Sequence, residues 1–125
     1  MNEQPRALTP PWLPEAHRVL LGLGLSPEWP EESVSAPGSR SRKAAELALR
    51  LLAELGLRPD RLLPGLDGGV SFAFIAGDRC AEIEFLDSGE VVASCAGGHP
   101  VVARVWPVGS DLTGALRAIH TFLRG

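Results

Sequence analysis

Cys95, His99 and Asp111 are the residues whose types could do covalent chemistry: a thiol nucleophile, an imidazole base and a carboxylate to orient it. Their context points elsewhere. Cys95 ends the apolar run Val91-Val92-Ala93-Ser94-Cys95, where a cysteine is a small buried hydrophobe, and His99 stands in a Gly-Gly-His-Pro turn. Cys80, Cys95, His99 and His120 show neither CxxC nor HxxxH spacing, so no metal site is expected. Glu82 and Glu84 stand two apart on a strand and share a face, which reads as the side turned to water. Residues 65–69 lack the lysine of a phosphate-binding loop and lead into a strand instead of a helix, so no cofactor is implied. Arg40, Arg42 and Lys43 form the one basic cluster. At a helix N-terminus they oppose its dipole, and no aromatic is interleaved, so a solvated first turn is expected ahead of a nucleic-acid or acidic-partner contact.

A chain of 125 residues, 45% hydrophobic and 22% charged, has the balance of one globular domain around one core. A net charge of −3 provides no overall attraction for nucleic acid or anionic lipid. Residues 1–5 lack a basic leader, and the early apolar run 19–25 is short and broken by Gly22 and Gly24. No membrane span is expected. With two cysteines, the cytoplasm is the expected compartment.

The elements that must position these residues follow from periodicity. Pro5, Pro10, Pro11 and Pro14 make residues 1–14 a proline-rich arm, ahead of a single domain over 15–125. A helix is expected over 15–23, with Ala16, Val19, Leu20 and Leu23 on one face, then a breaker-rich loop over 25–41 in which Trp29 anchors to the core. A second helix over 42–55 carries the stripe Ala44, Leu47, Ala48, Leu51, Leu52 and Leu55, and Gly56, Leu57 and Pro59 stop it. Residues 58–66 read as a crossing to the sheet. Four runs then alternate: 70–75, 81–85, 91–95 and 101–106, joined by glycine-bearing turns. A type I turn with a bulge at Gly89 would pair Leu86 with Glu90 and send Val91, Ala93 and Cys95 inward. Leu112, Ala115, Leu116, Ile119, Phe122 and Leu123 recur at helical spacing after a cap at Ser110 or Asp111. The expected fold is α+β, an antiparallel four-stranded β-meander with two N-terminal helices and one C-terminal helix packed on one face.

Glu28-Trp29 with Pro37, the helix Ala44-Ala45-Glu46-Leu47-Ala48, Pro59, Pro64, Asp67-Gly68-Gly69-Val70, and Ala81-Glu82-Ile83-Glu84 with Asp87 to Gly89 together resemble a group of small uncharacterised bacterial proteins. In that group a Trp-containing loop precedes a helix, and an Asp-Gly-Gly turn precedes an antiparallel sheet. The resemblance covers residues 28–95. Pro30 departs from it where the group has Asp, and Phe74 where it has Trp. Its motifs are structural and bring no activity with them; the small size and bacterial character of the group imply an accessory or antitoxin-like role.

The expected function is therefore a non-enzymatic interaction module for a protein partner, an antitoxin-like or accessory subunit of a toxin-antitoxin or defence operon. One alternative is a small cysteine-dependent hydrolase or transferase using Cys95 and His99. The other is a nucleic-acid-associated regulator using Arg40, Arg42 and Lys43. The expected docking surface is the sheet face away from the helices, where alternation places Ile75, Glu82, Glu84, Val92, Val102 and Arg104, with Trp12 of the arm as an added anchor. The competing expectation is that the arm itself folds over that face.

Overall fold

Val70, Phe72 and Phe74 alternate with smaller residues, and in the computed structural model all three are buried in one core. The structure describes residues 9–23, 37–65 and 67–125. In chain order these form α1 (Trp12–Gly22), α2 (Ser39–Leu55), β1 (Arg61–Pro64), β2 (Val70–Ala76), β3 (Arg79–Phe85), β4 (Val91–Gly97), β5 (Val102–Pro107) and α3 (Leu112–Arg124). The protein is α+β, with a five-stranded antiparallel sheet in the order β1-β2-β3-β4-β5 and three helices. Leu20 of α1, Leu49 and Leu52 of α2, and Leu116 and Ile119 of α3 join Phe72, Ile83 and Phe85 in one cluster, so the helices share a face. Among the described residues, no helix is long and apolar enough to cross a membrane.

The sheet has five strands where four were expected. The segment read as a crossing holds β1, in which Arg61 pairs with Ala73 and Pro64 with Val70. Proline conceals the strand from a pattern reading without preventing it. Gly65 donates to the Gly69 carbonyl, so its neighbour Pro64 turns its nitrogen away from β2 and removes no ladder bond.

Two helices begin earlier than their patterns suggest. α1 starts at Trp12, because Pro11 already has helical angles (φ −59°, ψ −28°) and the first-turn amides lack intrahelical partners in any case. Ala16, Leu20 and Leu23 are buried as expected, whereas Val19 is exposed. α2 starts at Ser39, and its buried line is Ser41, Ala45, Ala48, Leu49 and Leu52. This line is rotated from the expected stripe, leaving Leu47 exposed. Leucines at 47, 49, 51, 52 and 55 cover so wide an arc that packing, not periodicity, selects the inward side. At the other end Leu57 donates to the Leu52 carbonyl at 3.0 Å, closing the helix beyond Gly56 as expected.

The turn between β3 and β4 has the bulged register. Leu86 donates to Glu90 at 2.8 Å, Gly89 donates back to Leu86 at 2.9 Å, and Gly89 has φ +102°, which a side chain would resist. Ala81 consequently faces Cys95, and Phe85 faces Val91. α3 is capped by Asp111, whose Oδ1 accepts from the Gly114 amide at 2.9 Å. Arg79 donates to the Phe122 carbonyl at 3.1 Å and lies 5.0 Å from the Phe122 ring, placing a cation at the negative end of that helix.

Candidate functional site

Three of the groups that could have done chemistry are engaged separately. Cys95 is inside the sheet with 4% of its surface exposed, and burial pushes its thiol above the ordinary value, with the Arg104 guanidinium pulling the other way. His99 is in the turn after β4 and lies 3.3 Å from the Asp78 carboxylate. Asp111 is occupied as the cap of α3. A nucleophile needs its thiolate and a base within reach; here the thiol is held neutral and the imidazole is paired to another hairpin. Cys80 and Cys95 are both free thiols, and their side chains leave opposite faces of β3 and β4. No group of three or more His, Cys, Asp or Glu that could hold a metal occurs among the described residues.

The structure does assemble a polar hub around the start of α2. Gly38 donates to the Gly68 carbonyl at 2.9 Å, the buried Ser41 hydroxyl donates to the same carbonyl at 2.6 Å, and the Ser41 amide donates to Asp87 Oδ1 at 3.1 Å. Arg40 donates to the Ser88 carbonyl and Arg42 to that of Pro37, both at 3.3 Å. Thus Asp87, from the β3–β4 turn, supplies the cap that α2 lacks in its own sequence and offsets the basic cluster at the positive end of the dipole. A Cβ on Gly38 would lie 2.2 Å from that carboxylate, so a larger residue there would push Asp87 out of its capping position. Pro37, the Asp-Gly-Gly turn and Asp87 to Gly89, separated in the chain, meet at this point. Sequence reasoning missed the hub, because Ser39 and Ser41 stand where local caps are expected and nothing local points to Asp87.

The remaining surface is the sheet face opposite the helices. Pairing puts Ser71, Ala73 and Ile75 of β2, Cys80, Glu82 and Glu84 of β3, and Val92, Ser94 and Ala96 of β4 on this side. Ile75, Glu82, Glu84 and Val92 are therefore where alternation placed them. Val102 and Arg104 are not. Gly97 pairs with Val102 and Cys95 with Arg104, which puts both on the helix-bearing side; Ala103, Val105 and Pro107 face out instead. The cause is the turn joining β4 to β5. With Gly97 opposite Val102 its length sets the parity of β5, and one residue more or less exchanges the faces. Gly97 itself is fixed as glycine from the other side, since its φ is +116° and a Cβ would lie 2.1 Å from the Asp78 carbonyl beside β3.

Trp12 is also displaced from the expected surface. It lies in the first turn of α1, packs against the core, and lines a hollow of about 150 Å³ with Pro59 and Leu62 on the helix-bearing side. Trp29 and residues 1–8, and with them the expected loop anchor and the covering arm, lie outside the described residues.

The open face has two halves. Near the β2–β3 hairpin, Ala73, Ile75, Cys80 and Ala96 border a shallow hollow of about 280 Å³. Ile75 is 60% exposed and Val105 75%. Glu82, at the rim of the hollow, accepts a hydrogen bond from Ser71, which is itself buried, and Glu84 lies opposite Ser71 toward the other end. Arrangements of this kind suit contact with another surface, an aliphatic group in the hollow and a cation on the carboxylates. Comparison with protein-family models, curated proteins and solved structures returns no match for the chain.

Proposed function

We propose that this protein is a non-catalytic interaction module that docks a protein partner on the open face of its sheet. The observation that carries the reading is the exposure of Ile75 and Val105 on a face the helices leave bare, beside Glu82 and Glu84. The partner it fits offers an aliphatic side chain flanked by lysine or arginine. In this reading the module acts in the bacterial cytoplasm as an antitoxin-like or accessory subunit of a toxin-antitoxin or defence operon, the role implied by the group it resembles.

The test is affinity capture from the native host with mass spectrometry, comparing the wild type with Ile75→Lys and Glu84→Lys. A stoichiometric partner retained by the wild type and lost from both variants, at unchanged melting temperature, supports the reading. Trp12→Ala is the control, since Trp12 lies on the other side; it should retain the partner. A complex indifferent to both face substitutions overturns the proposal.

A further inference from the structure

The two edges of the sheet end differently, and we propose that the β5 edge accepts an extended acidic segment of another protein as a sixth strand, its carboxylates meeting Arg104 and Arg117. This concerns the edge, not the open face, and stands or falls independently of the docking reading above.

The β1 edge is closed to such pairing. It is four residues long, ends in Pro64 and has α1 against it. Where β1 stops, Asp60 takes over: its carboxylate accepts from the Ile75 amide at 2.6 Å. The β5 edge shares only the closing proline: it is longer, and no helix packs on it among the described residues. Its six residues contain no proline before Pro107. Val108 donates to Val91 at 2.8 Å, so the residues in step with it, Trp106, Arg104 and Val102, turn their amides toward β4. Ala103 and Val105 therefore direct their amides and carbonyls outward, and no turn or loop hydrogen bond reaches them among the described residues.

Beside this edge the helix layer leaves room. α3 packs on β2, β3 and β4, and a groove of about 590 Å³ runs between it and β5. Gly114, Ala118 and Thr121 keep the α3 wall low, while Arg104 and Arg117 supply positive charge. Neither guanidinium is in an ion pair among the described residues; Arg104 lies over the Trp106 ring at 4.8 Å. An added strand sits about 4.8 Å beyond its neighbour and alternates its side chains, so every second one would enter this groove. Carboxylates at those positions complement the two guanidiniums.

Charge also decides against a second copy as the occupant. Antiparallel self-pairing that keeps the faces aligned sets Arg104 opposite or diagonal to its own equivalent, with both Arg117 side chains on the same side. Four guanidiniums would crowd one groove without a counter-charge.

The experiment uses the full-length ¹⁵N-labelled protein and two blocked synthetic peptides, one alternating glutamate with valine and the other alternating lysine with valine. With the glutamate peptide, the Ala103 and Val105 amides should shift and gain hydrogen-exchange protection; the lysine peptide should leave them unchanged. Arg117→Gln, at an exposed position, should weaken binding about fivefold, and Arg104→Glu with Arg117→Glu should reverse the preference. If the double variant fails to fold, Arg117→Gln carries the charge test. Unmoved edge amides at millimolar glutamate peptide, an equal response to both peptides, or protection that rises with protein concentration alone would each overturn the proposal.

Discussion

The two faces of this sheet are made by the same strands and differ by one residue in phase. On β2, Phe72 and Phe74 are completely covered while their neighbour Ile75 is 60% exposed. The inner face meets three helices and holds the core, whereas the outer face is small and mixed and no helix covers it among the described residues. On β2 the tolerance of an apolar position to change should therefore follow its face, not its hydrophobicity.

The sharpest way to break this contrast is to truncate one residue on each side. Phe72→Ala removes a fully buried ring that packs edge-on against Phe85 with centroids 5.2 Å apart, and should cost about 3–5 kcal/mol in chemical denaturation. Ile75→Ala should cost less than about 0.5 kcal/mol. Equal losses would mean that the outer face is covered in solution.

The hub at α2 ranks next, because it ties a turn of the sheet to the helix layer. Asp87→Ala removes the carboxylate that accepts from the Ser41 amide and should lower stability by about 1–2 kcal/mol. Hydrogen exchange should then show fraying confined to the first turn of α2. A change spread evenly over the sheet would contradict the capping role.

The thiols give a finer test of the two faces. Cys80 should react with a thiol reagent in the native protein, and Cys95 only as the protein unfolds, with no disulfide between them. Simultaneous modification in the native state would refute the register that separates them.

The smallest expected effect is a pH dependence. The folded-state pKa of Cys95 lies above its unfolded value, chiefly through burial. Its contribution is thus fully present below the ordinary thiol range and is lost as pH rises through the folded pKa. The alkaline fall in stability should be shallower in Cys95→Ala; an identical fall would assign it to other groups.

Much of the fold was legible because it is encoded locally. The period-two alternation of β2 and β3, the bulge signature at Gly89 and the helical spacing from Leu112 to Leu123 are each set by residues within a few positions of one another. β1 was not legible, because a short edge strand with a terminal proline gains its existence from β2 and has no periodicity of its own. Val102 and Arg104 were assigned to the wrong face because the β4–β5 turn, unlike the Gly89 turn, carries no local signal that fixes its parity.

By itself, the sequence determined the α+β class, the three helices, the register of the β3–β4 hairpin and the inward path of Cys95, all consequences of side-chain period and turn stereochemistry. Tertiary structure alone decided the inward side of α2, the face of Arg104, the place of Trp12 and the cap that Asp87 provides across 46 residues. Each of those depends on which surfaces meet. A helix with apolar residues over a wide arc, or a strand after a turn of undefined length, has two locally equivalent orientations, and only packing against the rest of the chain separates them.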